Sequence, residues 1–371
     1  MLVDRFRLRR RLSNALYGPV GLFEDTHHSD KLVALKQVSL ARAVGALRLN
    51  PNMDNPWSEH RVITQLMSLP VHPNIVQFRG EFLTAEDTWC VVMEFCDGGD
   101  LWDLLEDTPK NRLPECVALD LFRQCVRGVN FLHSHGIAHR DLSLENVFYC
   151  RGVCKVGDFG LSTDSPVRAS GESVGKPYYM APEVVSCKGY DAFAADMWSL
   201  GIMLFIMLTG SPLISDAGAN NKAFGAFCEL GVARVIESWG LSPRISKSSV
   251  ALLDRLLRLN PSERVTASEV VEMLETEDPA TQLVAVAANA HLSDKPAMIR
   301  QRCRLKDKVA DARYGRECVC EDALVHNELV AIKQASLEQA SSLLKLHPNA
   351  DSPWQERRTI TKLLMLPLIR T

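Results

Sequence analysis

The chain has 371 residues, 46% hydrophobic and 23% charged, the make-up of a folded globular protein with room for about two to three units of ~100–200 residues. A formal net charge of -3 supplies no overall attraction for nucleic acid or an anionic membrane, so a phosphorylated ligand needs a local site. The eleven cysteines include no CxxC, and neither Cys150 with Cys154 nor Cys318 with Cys320 has partners to complete four ligands, which argues against a zinc module and for reduced thiols.

At the N-terminus, Arg5, Arg7, Arg9, Arg10 and Arg11 are followed by no apolar run, so residues 1–11 read as a basic segment and not as a secretory signal. Lys31 to Val38 is a short β-branched and apolar run expected as a strand, and Val62, Ile63, Leu66 and Leu69 recur at helical spacing between Ser58 and Leu69. Lys36 therefore falls on a strand and Glu59 on a helix. Farther on stand Ala138-His139-Arg140-Asp141-Leu142-Ser143-Leu144-Glu145-Asn146, Lys155-Val156-Gly157-Asp158-Phe159-Gly160 and Ala181-Pro182-Glu183. They are followed by Asp196-Met197-Trp198-Ser199-Leu200-Gly201 and Asn260-Pro261-Ser262-Glu263-Arg264. The longest apolar stretch, Met197 to Leu208, is about half of the ~20 residues that a membrane-spanning helix needs and reads as a buried core helix. No membrane or nucleic-acid partner and a cytoplasmic location are expected.

A lone Asp in a polar loop is ordinarily a turn former. The spacing of five between Asp141 and Asn146, and the Asp-Phe-Gly that follows, reverse that reading: the chain resembles the eukaryotic protein kinases. The resemblance implies an α+β fold of two lobes, a small β-rich one carrying the Glu59 helix and a large helical one, spanning residues 12–276. It implies transfer of the γ-phosphoryl of ATP to a protein hydroxyl. Lys36 would grip the α/β-phosphates and be held by Glu59, Asn146 and Asp158 would hold Mg²⁺, and Asp141 would accept the proton. Adenine would lie between Val20 and Ala34 above and Phe148 below, with Met93 at the back and the backbone of Glu94 and Cys96 at the hinge. Asp100 would stand where an acid meets the ribose. His139 and Phe159 would pack with Ile63 in a hydrophobic spine, Glu183 and Arg264 would form a buried ion pair, and Asp196 would hold the catalytic-loop backbone.

Several positions depart from the family. Its Gly-x-Gly-x-x-Gly appears as Ser13-Asn14-Ala15-Leu16-Tyr17-Gly18, so Gly18 alone keeps the bare backbone that approaches phosphates, and weaker ATP affinity or slower turnover is expected. Ser143 replaces the Lys that Ser/Thr kinases commonly carry two residues after the catalytic Asp, and Lys176 replaces a Thr ahead of Ala-Pro-Glu. Ser-Leu-Glu-Asn still resembles the Ser/Thr type more than the Tyr type. Because Arg140 precedes the catalytic Asp, Ser170 or Ser173 is expected as an activation-segment phosphosite. The rival function is a pseudokinase, a nucleotide-binding scaffold without catalysis.

Shifting the chain by 297 positions lays Ala15–Pro70 over Ala312–Pro367 without a gap, with 27 of 56 positions identical. The period exceeds that of stacked repeats, so a domain duplication is expected: a linker at 277–308 and a partial second small lobe at 309–371. It keeps Lys333 and Glu356 but puts Glu317 where Val20 stands, and no hinge, catalytic loop or metal ligand follows. A partial lobe leaves apolar surface to cover, by packing on the first domain, by self-association, or not at all.

Overall fold

The computed structural model describes residues 5–27, 31–168 and 170–275, together with the backbone of three strands between 303 and 335. The chain divides into two units, Met1–Pro296 and Ala297–Thr371.

The first unit opens with strands β1 (Phe6–Ala15), β2 (Gly18–Asp25) and β3 (Lys31–Ser39), helices α1 (Leu40–Leu49) and α2 (Pro56–Ser68), and strands β4 (Phe78–Leu83) and β5 (Thr88–Glu94). They form one antiparallel sheet in the order β1-β2-β3-β5-β4. Successive strand side chains point to opposite faces. Val33, Leu35, Cys90 and Val92 thus make one buried cluster, joined by Phe6, Phe23 and Phe82. Val38, Trp89 and Val91 turn the other way and pack with Tyr17, Ala43 and Ile63. The boundary expected at residue 12 moves out to Phe6, because Phe6–Arg11 pair with Gly21–Asp25 and Phe6 stacks on Phe82 at 5.9 Å. Arg5 and Arg9 secure that edge through Asp25 and Glu24, each at 2.6 Å, so the basic segment belongs to the sheet.

Helix α2 begins at Pro56, two residues ahead of the Ser58 expected from the apolar spacing. The Asn55 side chain accepts from the N–H groups of Trp57 and Ser58, and Pro56 occupies the first turn, where a missing N–H costs nothing. Its buried face, Val62, Ile63 and Leu66, carries Glu59 inward with it.

The large lobe continues with α3 (Leu101–Glu106), α4 (Glu115–Ser134), the hairpin β6 (Val147–Cys150) and β7 (Val153–Val156), and a two-residue β8 (Val167–Arg168). Then come α5 (Pro182–Val185), β9 (Tyr190–Asp191), α6 (Ala192–Thr209), α7 (Lys222–Ser238), α8 (Lys247–Leu256) and α9 (Ala267–Glu275). Every residue of α6 from Ala195 to Thr209 is buried, which accounts for its all-round apolar character as a core helix. It closes on Gly210 at φ 79°, a left-handed cap that glycine adopts without penalty.

In the second unit, β10 (Cys303–Ala312), β11 (Gly315–Asp322) and β12 (Glu328–Ala335) form an antiparallel sheet in that order. Phe6↔Asp25 in the first unit matches Cys303↔Asp322 in the second, and both register shifts of β1 on β2 recur in β10 on β11. The repeat therefore extends to strand pairing, and it reaches back to Cys303, inside the span expected as linker. Glu356 and the repeated stretch from Pro348 onward lie outside the described residues, as does the rest of the expected linker.

Candidate active site

Alternation along β2, β3 and β5 brings the expected nucleotide-binding side chains to one face. Val20 pairs with Lys36, Leu22 with Ala34, and Ala34 with Met93, so Val20, Ala34, Lys36 and Met93 share the side that faces α2. Lys36 Nζ lies 2.7 Å from Glu59 Oε1 and 3.1 Å from Asp158 Oδ1, joining strand, helix and the Asp-Phe-Gly segment. Burial opposes the Lys36 charge, but Asp158 and Glu59 outweigh it and hold the ammonium protonated. Burial pushes the Glu59 carboxyl up. Lys36 pulls the Asp158 carboxyl below its usual range, so it stays ionised.

The catalytic loop is hung from α6. Asp196 accepts backbone N–H bonds from His139 at 2.7 Å and Arg140 at 2.8 Å, with His133 Nε2 a further 3.0 Å contact. Arg140 and Asp158 both sit at positive φ, 66° and 59°, strained for non-glycine residues and held by these surroundings. Asn146 Nδ2 donates to both the backbone oxygen and Oδ2 of Asp141, each at 2.7 Å, which leaves its amide oxygen as the metal-facing type of atom. Burial pushes the Asp141 carboxyl up, against the pull of Lys176.

The donor set suits a hard divalent cation: one amide oxygen and one carboxylate, Asp158, whose side chain is 43% exposed. Among the described residues no cluster of three or more His, Cys, Asp or Glu could hold a metal ion, so phosphate oxygens and water would complete such a shell.

The hinge is drawn tight. Glu94 N–H donates to the Gln77 carbonyl at 2.9 Å, leaving the Glu94 carbonyl for a ligand, while its side chain accepts from Gln77 N–H and pairs with Lys155. Gly98 N–H donates to Tyr149 and Tyr149 N–H donates to Gly99, and a Cβ on Gly98 would stand 2.6 Å from the Tyr149 oxygen. Phe148 packs where a Cβ on Gly157 would meet it at 3.0 Å, and it bridges to Asp100. Asp100 Oδ1 accepts from Asp103 N–H at 2.8 Å as the N-cap of α3, so that carboxylate already serves the fold. The Cys96 thiol is kept protonated by burial and by the neighbouring Cys150.

Gly18 needs to be glycine for a reason absent from the motif argument: a Cβ there would collide with the Gln37 carbonyl of β3. Ala15 pairs with Gly18, so the loop is a tight turn of Leu16 and Tyr17, with Tyr17 buried and its hydroxyl donating to the Asp54 carbonyl at 2.6 Å.

The family's recognition model for the protein kinase domain matches residues 17–274. The chain belongs to the protein kinase family. It is 29% identical over 304 residues to human serine/threonine-protein kinase Nek11, covering 80% of this chain and 44% of that one. It is 31% identical over 281 residues to CBL-interacting protein kinase 9 of Oryza sativa subsp. japonica (73% and 56%) and 37% over 282 to calcium-dependent protein kinase 8 of the same plant (72% and 48%). The chain thus spans about half the length of the curated relatives it matches. The match ends ahead of the 312–367 repeat and does not support a second kinase domain there.

The remaining kinase landmarks fall as expected, with two differences. Arg264 Nη1 donates to Glu183 Oε1 at 2.6 Å and to the Ala194 carbonyl, with its guanidinium 5.3 Å from the Trp198 ring centroid. His139 and Phe159 are fully buried with ring centroids 5.3 Å apart. Ile63, however, belongs to the small-lobe cluster, and Phe78 bridges the two by packing on both and meeting Phe159 edge-on at 5.7 Å. Arg140, expected to receive a phosphorylated serine, is engaged by Glu172 at 2.7 Å, and Arg168 Nε holds the same carboxylate at 2.9 Å.

Two site residues escaped the motif reading, Asp54 and Glu172, and Lys176, noted in sequence only as a departure from the family, stands beside Asp141 at 3.4 Å. A Cβ on Gly160 would stand 3.0 Å from Asp54 Oδ2, and burial, then the Asp158 charge, push the Asp54 carboxyl up to about 6. Its one sequence signal is the echo at Asp351.

Proposed function

We propose that this domain transfers the γ-phosphoryl group of Mg²⁺-ATP to Ser and Thr hydroxyls of proteins. The carrying observation is one connected polar chain: Glu59 to Lys36 to Asp158, facing Asp141 clamped by Asn146. Phosphoryl transfer asks little covalent chemistry of a protein and much positioning, and this constellation supplies it. Lys36 orients the α/β-phosphates. Asp158 and Asn146 would hold Mg²⁺, whose bound charge offsets that of the phosphates. The substrate hydroxyl oxygen bonds to Pγ, the bond from Pγ to the β–γ bridging oxygen breaks with its electron pair leaving on ADP, and Asp141 accepts the hydroxyl proton. The serine/threonine preference is supported by the relatives' names and by Ser143-Leu144-Glu145-Asn146. A cytoplasmic location belongs to the same reading, supported by eight free cysteines among the described residues. So does a partial second small lobe at the C-terminal end, supported by the register shared between β1-β2 and β10-β11.

The test compares the purified chain with its Asp141→Asn variant in phosphate transfer from labelled Mg²⁺-ATP to a generic Ser/Thr acceptor. Transfer present in the parent and lost in the variant is expected. ATP binding without transfer by either would replace the reading with that of a nucleotide-binding scaffold.

A further inference from the structure

Two departures from the family, 33 residues apart in sequence, meet in space: Lys176 Nζ donates to Ser143 Oγ at 2.7 Å and lies 3.4 Å from Asp141 Oδ2. Where Ser/Thr kinases commonly carry an ammonium in the catalytic loop and a hydroxyl ahead of Ala-Pro-Glu, this chain has the hydroxyl in the loop and the ammonium ahead of Ala-Pro-Glu. The exchange conserves the pair and swaps its owners. We propose that Lys176 supplies the positive charge beside the transferred phosphoryl group, with Ser143 holding it in place.

The backbone is built to deliver this side chain. Gly175, at φ 103°, precedes it, and a Cβ there would stand 2.9 Å from the Arg140 carbonyl, so a bare residue lets the segment close on the catalytic loop. The Lys176 carbonyl accepts from Tyr179 N–H at 2.9 Å and Met180 N–H at 3.1 Å, and the buried Tyr179 is tied by its hydroxyl to Glu145 at 3.2 Å. Burial opposes the charge on Lys176, but Asp141, Glu145 and Asp158 outweigh it and keep the ammonium protonated. An ammonium has three donors, and Ser143 and Asp141 take two. The third remains for a phosphoryl oxygen, reachable because the side chain is 34% exposed while Asp141 beside it is 18% exposed. A fixed cation aimed at charge that develops in the transition state acts mainly on kcat. Lys176 moves no proton; Asp141 keeps that task.

The assignment rests on the phosphoryl transfer proposed above. Its test measures kcat, KM for ATP, fluorescent-ADP affinity and melting temperature for the parent, Lys176→Thr, Lys176→Met, Ser143→Lys and the exchange Ser143→Lys/Lys176→Thr. The expected result is a loss of kcat of about 100-fold in both Lys176 variants, with ADP affinity and melting nearly unchanged. Ser143→Lys alone, which sets two ammonium groups face to face, loses activity too, and the exchange variant recovers to within about tenfold of the parent, the range left by imperfect repositioning of one catalytic group. Retention of kcat within threefold in Lys176→Thr, or a rise, would overturn the assignment, the rise marking Lys176 as a brake on Asp141. Joint loss of ADP binding and melting in both Lys176 variants, or an exchange variant that folds yet does no better than the singles, would overturn it as well. An active parent with active Lys176 variants sinks this inference alone; an inactive parent that binds ATP removes the reaction and the assignment together.

Discussion

Glu172→Gln keeps the shape of the side chain and deletes its charge, leaving Arg140 and Arg168 without their shared carboxylate. The Arg140 side chain is 9% exposed and Glu172 26%, and Arg140 meets the carboxylate through Nη2 while its buried Nε has no hydrogen-bond partner. Breaking one side of a fully buried pair costs roughly 3–5 kcal/mol and of an exposed one about 0–1, so this half-buried triad is worth ~2 kcal/mol. That shifts the ratio of ordered to disordered activation segment about 30-fold. The burial of Glu172 works against its charge, but Arg168 and Arg140 prevail and hold its carboxyl below the usual range. A carboxylate with a lowered folded value stabilises the segment above its unfolded value and loses that contribution as pH falls through the folded one. The assay pairs the initial rate of phosphate transfer with limited proteolysis across residues 165–180. Glu172→Gln is expected to be slower and more readily cleaved, whereas Ser170→Ala/Ser173→Ala keeps the parent's rate, since Arg140 already has an anion. A Glu172→Gln variant as fast and as resistant as the parent, or a serine double variant as slow as Glu172→Gln, would refute the reasoning.

Three further outcomes follow from particular contacts. Arg264→Met strands the Glu183 carboxylate, 11% exposed, against a lost partner that is fully buried, so urea denaturation should read a destabilisation of roughly 3–5 kcal/mol; a loss under ~1 kcal/mol contradicts this. For Asp54, the raised value near 6 against an ordinary 3.8 means that the folded state disfavours the charged form. The penalty is complete above about pH 6 and gone below the ordinary value, so nucleotide-free Asp54→Asn gains up to ~3 kcal/mol at pH 7.5 and less at pH 5, and a gain insensitive to pH counts against the account. Gly18→Ala drives a methyl group into the Gln37 carbonyl and should lower stability by about 2 kcal/mol; unchanged melting would show that the β2–β3 spacing relaxes without cost.

The site was legible where the chemistry is written in contiguous residues. Asp141 and Asn146, or Asp158 within its Asp-Phe-Gly, are brought together by a few residues of loop, and the alternation of β3 alone predicts that Ala34 and Lys36 share a face. The cap at Asn55-Pro56 ahead of the Glu59 helix was not read from the sequence and came from the structure. Illegible were contacts whose partners are distant in the chain and whose residue types are unremarkable singly. Glu172 reads as a surface acid until β8 and the catalytic loop close around it, and Asp54 reads as a turn residue until Gly160 packs on it. Gly18 carries a second constraint, the approach of the Gln37 carbonyl, that a glycine pattern does not disclose because it does not say which backbone comes close.

By itself the amino-acid order determined the family, the two-lobed α+β arrangement, which residues stand as candidates for phosphate, metal and proton, and the repeat of residues 15–70 at 312–367. These are local or periodic properties, and a chain segment carries them wherever it is placed. Tertiary structure alone decided what neutralises Arg140, which residue stands beside Asp141, and where the first sheet begins. Burial and charge pairing depend on which segments approach within a few ångströms, and that approach is set by the whole packed lobe: α6 holds the catalytic loop through Asp196, and the loop in turn receives Gly175 and Lys176.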